Sequence, residues 1–221
     1  MKHIFFWILI FSSGVFCSPA QKPKTQSAEC YVRYLVPEGQ LLAEMTLREG
    51  PAGQKAQNAV VVPGGVQYQG IRMNELSSDG VSYQLNRASG YDLQHVFTWM
   101  AGKPRKFDMS LSPITTFSFG SDTLSREMPA TFTWEGAPLE RGETVVFLWE
   151  TPDRIQTVPM EVIATPGQQS IEFPAVQVSK LSPGKWTLYL VRKKMTKANL
   201  EGTEVTGIAE YYTRMDTLLI R

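Results

Sequence analysis

Short runs of alternating apolar and polar residues, broken about every ten residues by turn formers, restrict this chain to β-structure. Val81, Tyr83 and Leu85 alternate with Ser82 and Gln84, and similar short runs occupy 30–36, 41–48, 59–62, 66–73, 93–100 and 107–111. Between them stand Pro37-Glu38-Gly39, Pro51-Ala52-Gly53, Pro63-Gly64-Gly65, Ser78-Asp79-Gly80, Ser89-Gly90 and Gly102-Lys103-Pro104. Gly and Pro fix the points where the backbone reverses. The second half continues in the same style at 115–119, 130–134, 144–150, 158–164, 169–173, 185–192, 204–213 and 217–220. No helical period is evident, and the best helix candidate is 195–201, one or two turns long. No period of about 20–50 residues recurs, so a solenoid or propeller is excluded.

The N-terminus is not part of this rhythm. Lys2 and His3 precede an unbroken apolar run from residue 4 to 11, followed by Ser12, Ser13 and Gly14. That order is a secretory signal peptide, and the run falls short of the ~20 residues of a membrane span. Small residues at Ser18 and Ala20 place cleavage before Gln21. A cut after Cys17, or a lipid anchor on Cys17, is the alternative, although bulky Phe16 precedes that cysteine. With Cys17 removed or lipidated, Cys30 has no disulfide partner and packs as a small apolar residue. Residues 21–28 (QKPKTQSA) read as a polar tether. The expected fold class is therefore all-β: two antiparallel β-sandwich domains, 29–112 and 113–221, after a cleaved leader over 1–20.

The second half resembles a known architecture. The run Leu181-Ser182-Pro183-Gly184-Lys185-Trp186, continuing through Val191, is similar to the penultimate strand of fibronectin type III and related immunoglobulin-like domains. Ala130-Thr131-Phe132-Thr133-Trp134 is similar to their early strand with its core Trp. Gly202, Tyr212-Thr213 and the closing strand 218–220 fit the tail of the pattern. The resemblance covers about 113–221, with Trp186 where Tyr is usual, and implies an immunoglobulin-like sandwich without implying a function.

The chemistry-bearing residues are few. A formal net charge of +1 gives no field to attract nucleic acid. The mature chain has one histidine, His95, and one cysteine, too few for a zinc site. His95 reads as a strand residue on a solvated face. Ser182-Pro183-Gly184-Lys185 matches S-x-x-K, but the Pro-Gly pair makes it a β-turn instead of a helix start. No catalytic site, cofactor or metal site is predicted. The carboxylates are scattered, which leaves open a glycosidase pair assembled from separate strands. Two candidate ligand contacts stand out. Trp99 and Tyr91 are candidates for an aromatic platform for sugar rings, as are Trp149 and Trp186, although sandwich Trp is more often core. Arg192, Lys193 and Lys194, with Lys197, form a basic run expected in a solvated hairpin loop. Asn58, Asn74, Asn86 and Asn199 all lack a glycosylation sequon, which points to a bacterial envelope. The reading is an exported non-catalytic module, secreted, periplasmic or on the cell surface, that binds a protein or glycan partner. A carbohydrate-active enzyme and a structural spacer are the alternatives.

Overall fold

A computed structural model describes residues 25–53, 58–77, 81–162 and 165–221. The expected leader, Cys17 and the turn Ser78-Asp79-Gly80 lie outside the described residues. The chain is all-β, and the strands of the described residues form three sheets.

The backbone of the molecule is a single ten-stranded sheet. At its centre β1 (Gln26–Leu35) pairs antiparallel with β2 (Gln40–Glu49), followed outward by β6 (Ser82–Ala88) and β5 (Asn74–Leu76). On its other flank β1 meets β16 (Thr203–Tyr212), then β15 (Gly184–Leu200). β15 continues the sheet through β12 (Glu143–Glu150) and β13 (Thr157–Val162) on one side. On the other it pairs with β17 (Asp216–Ile220), which carries β10 (Thr123–Leu124) in parallel.

Two smaller sheets cover the inner face of this layer at different places. One has the order β4 (Ile71–Arg72), β3 (Val66–Tyr68), β7 (Gln94–Ala101), β8 (Lys103–Ser110). The other has the order β14 (Ser170–Phe173), β11 (Ala130–Gly136), β9 (Ile114–Ser118). Each encloses its own core. The first contains Val32, Leu41, Met45, Tyr68, Phe97 and Phe107. The second contains Phe132, Phe147, Trp149, Phe173, Trp186 and Leu188. Phe132 and Phe147 meet edge to face at 4.7 Å. Trp134 and Trp186 are buried as the sequence anticipated. An indole of this size removes ~150–250 Å² from water, several kcal/mol before conformational entropy is counted.

The cores do not follow chain order. β15 is 17 residues long. Its first part belongs to the second core, but residues 191–200 form a hairpin with β16 that closes the first. Val205, Ala209 and Tyr211 from β16 are buried in the first core. β16 runs parallel to β1 over ten paired positions, from Gln26↔Thr203 to Leu35↔Tyr212. Parallel neighbours need a long connection between them. Here the connection is most of the protein. A division at Ser112-Pro113 therefore separates the small sheets but cuts through the large one. Gln26, Ser27 and Ala28, expected in the tether, open β1 instead.

Two local features let the hairpin bridge both cores. Gly207 lies against the Phe107 ring; a Cβ there would come within 2.4 Å of Phe107 Cε1. Only a glycine admits that approach. At the break between β16 and β17, Thr213 takes over the ladder: its amide donates to Leu190 O at 3.0 Å. Its hydroxyl accepts from the Leu190 amide at 2.9 Å.

The best helix candidate, 195–201, is strand: Met195–Leu200 pairs with β16. Good helix formers such as Lys197, Ala198 and Leu200 lose to the open edge they fill. The single helical turn of the described residues, α1 (Ala175–Val178), follows Pro174 and crosses from β14 towards β15.

Candidate functional site: a cleft at the end of the first core

The sequence candidates for ligand contact lie largely inside the protein. Trp99 is 3% exposed and faces the first core. Tyr91 is half-buried; its ring meets Tyr211 edge to face at 4.7 Å and its hydroxyl donates to Leu111 O at 2.6 Å. Neither is a platform for a sugar. Trp149 and Trp186 are buried in the second core. The basic run is not a loop: Arg192, Lys193 and Lys194 are consecutive residues in the middle of β15.

Arg192 points inward and is fully buried. Its Nε donates to Glu143 Oε2 at 3.0 Å, and its two terminal nitrogens donate to the carbonyls of Ala137 and Pro138 at 2.9 and 2.8 Å. Lys194 Nζ stands 3.6 Å from Glu143 Oε1 and also bonds Glu140. Beside Arg192 on the same face sits Tyr211, its register partner on β16, and then Tyr34, the partner of Tyr211 on β1. This row forms a seam between the two small sheets. Lys193 points outward, half-exposed, 3.6 Å from Glu210. An anionic ligand would find only Lys193 and Lys197 accessible in this run.

His95 is another correction: it is 1% exposed, not on a solvated face. Tyr68 Oη lies 2.7 Å from its Nδ1. Burial pushes its pKa down from 6.5 to about 4, with nearby Asp92 opposing the shift. A depressed folded pKa means the neutral ring stabilises the fold above about pH 6.5 and that this contribution is lost as pH falls towards 4. The expected result is an acid limb of about 3 kcal/mol in stability between pH 7 and pH 4. The limb should flatten in His95→Gln; an unchanged pH profile in urea unfolding would show that His95 does not titrate during folding.

The accessible concavity lies elsewhere. A cleft of about 910 Å³ opens at the end of the first core. Five chain segments build it: the start of β1, the end of β2, residues 60–63, the β7–β8 turn and the β15–β16 turn. Its apolar wall includes Leu47 and Val60, with Val61 and Met100 at the surface, 55% and 42% exposed. Its polar side comes from the hairpin tip. Glu201 and Gly202 both have positive φ, +47° and +88°. They form the two-residue turn that matches strand twist. Glu201 is an unusual residue in that conformation, and its carboxylate is held by an ion pair with Arg105. The hydrogen bond from Arg105, with Lys103 nearby, lowers the Glu201 pKa. Asn199 Oδ1 accepts from the Gly202 amide at 3.0 Å, which braces the turn. Glu204 accepts from the Ala52 amide at 3.0 Å.

No protein-family model matches this chain, and no curated protein matches it. Its function has to be read from the cleft itself. The Arg105 guanidinium favours the carboxylate form of Glu201, which accepts hydrogen bonds. Glu201 and Glu204 are thus acceptors on one side of an apolar wall, an arrangement suited to holding a ligand. The cleft residues run from Thr25 to Glu204, most of the length of the chain, and sequence spacing gave no sign of them. The one local signal was Glu201-Gly202, a hairpin turn at the end of the best helix candidate.

A second, smaller concavity of about 230 Å³ lies on the outer face where the hairpin leaves the second core. Tyr189 and Tyr212 stack there, 6.3 Å apart, beside Glu150 and Arg154. Among the described residues, no helix is long and apolar enough to cross a membrane.

Proposed function

We propose that this chain is an exported, non-catalytic binding module of the cell envelope that holds a protein or glycan partner in the end cleft. The observation that carries the reading is the cleft: room for a peptide segment or a few sugar rings, exposed Val61 and Met100 on one wall, and Glu201, held by Arg105, with Glu204 opposite. Export is supported by the leader pattern over residues 1–20. An immunoglobulin-like second domain is supported by its strand order. β14-β11-β9 faces β13-β12-β15-β17, with β10 parallel to the last strand.

The test compares wild type with Val61→Asp/Met100→Asp, at positions exposed enough to leave the fold intact. Both are passed over arrays of cell-envelope polysaccharides and immobilised envelope proteins. Binding by wild type that falls at least tenfold in the variant supports the cleft. Equal binding by both places the site elsewhere, and hydrolysis of an arrayed glycan by wild type replaces this reading with the carbohydrate-active one.

A further inference from the structure

The β15–β16 hairpin is built as part of one half of the molecule and used as part of the other. Its base is fixed in the second core, where residues 187–194 pair with β12 and 184–188 with β17. Its tip completes the first core. The charged groups at its base are satisfied within the second half: Arg192 bonds Glu143, Ala137 and Pro138. Withdrawing the hairpin from the first core would break the Arg105–Glu201 ion pair and the Ala52–Glu204 hydrogen bond at its tip, and would leave the buried Arg192 guanidinium paired. The joint itself is a backbone ladder with alternate small and apolar residues: Ala28, Cys30, Val32 and Tyr34 from β1, and Val205, Gly207, Ala209 and Tyr211 from β16. On the outer face Tyr31 Oη donates across it to Glu210 Oε2 at 2.7 Å. Main-chain pairing with alternate side chains in pockets is how a donated strand binds an open sheet edge.

The covalent tie between acceptor and donor is short. Everything from β1 to β8 belongs to the first core, and the chain leaves it through Leu111-Ser112-Pro113 before β9. Three residues reach about 10 Å when extended.

We infer that the hairpin is a donated element, and that a second copy of this chain can donate it in trans, giving a strand-exchanged dimer. In such a dimer β16 of each protomer lies against β1 of its partner, and every contact of the closed monomer is reproduced. The short tether favours the closed monomer in dilute solution through its high effective concentration. Exchange is favoured when many chains fold together, because the open edge of β1 and the free hairpin then meet between molecules. The partner is chosen by the register of β1 with β16, and by the fit of Gly207 against Phe107.

The experiment uses the mature chain carrying Glu29→Cys and Thr206→Cys, outward-facing register partners on β1 and β16. Oxidised in dilute solution without unfolding, it should give a cross-linked monomer. Unfolded, refolded at a series of rising protein concentrations and then oxidised, it should give a cross-linked dimer whose share rises at least fivefold across the series. Monomer alone at every concentration overturns the inference. Adding Gly207→Val should abolish the dimer band by spoiling the donor; a dimer that persists unchanged in that variant is a non-specific disulfide and also overturns it. The result does not depend on the cleft, so it stands or falls apart from the proposed function.

Discussion

Replacing residues 195–208 with a two-residue turn is expected to unfold the first core and leave the second folded. Lys194 and Ala209 are register partners, so the shortened hairpin closes without disturbing its base. What is lost is the tip. Val205, fully buried, goes with Ala198 and Leu200, which pack against the same core. Burial of each large aliphatic side chain is worth about 1.5–3 kcal/mol. The larger loss is the exposure of what the tip covers: Ala28 and Cys30 on β1, and the Phe107 ring resting on Gly207. The ladder partners of Gln26 through Tyr31 disappear as well. Together these reach the ~5–15 kcal/mol that stabilises a whole domain. Hydrogen exchange reads the result: amides of β2 and β7 should lose protection while those of β12 and β17 keep it. Retained protection in β2 would show the hairpin to be dispensable to the first core.

This dependence was not legible in the sequence, and β15 shows why. A strand announces itself by alternating apolar residues, and β15 does so only as far as Val191. Beyond that, and before Leu200 at the tip, its inward positions are Arg192, Lys194, Thr196 and Ala198. The first two face a polar seam and the others are small, so the pattern fades where the strand passes from one core to the next. Residues 195–201 then score as a weak helix on propensity alone. By contrast, strands with one uniformly apolar face were legible. β2 buries Leu41, Ala43, Met45 and Leu47, and the expected range 41–48 is within one residue of its limits at each end. Turn chemistry was equally legible at Pro63-Gly64-Gly65, where both glycines have positive φ. His95 reads as a surface residue because a lone strand histidine is usually solvated, and Arg192 because a basic run usually is. Their partners, Tyr68 and Glu143, lie 27 and 49 positions away. The cleft was hidden for the same reason, since no two of its walls are neighbours in the chain.

Removing the Glu143 carboxylate is the second large effect. Glu143→Ala is expected to cost about 3–5 kcal/mol, because it strands a guanidinium with no exposure to solvent. For a chain of this size that is a fall of roughly 10 °C in Tm. The two partners should not be equivalent. Without Glu143, Arg192 keeps only the Ala137 and Pro138 carbonyls, which cannot balance its charge. Without Arg192, Glu143 still has Lys194 at 3.6 Å and accepts the Glu140 amide at 3.0 Å. Arg192→Met should therefore cost less than Glu143→Ala. The double variant Glu143→Leu/Arg192→Met removes both charges and both desolvation costs, and should recover most of the loss. Equal single-variant costs would mean that Lys194 does not reach into the seam. A double variant as unstable as Glu143→Ala would mean that the ion pair holds β15 in register. In that case the hairpin's position over the first core would depend on a charge pair built entirely in the second.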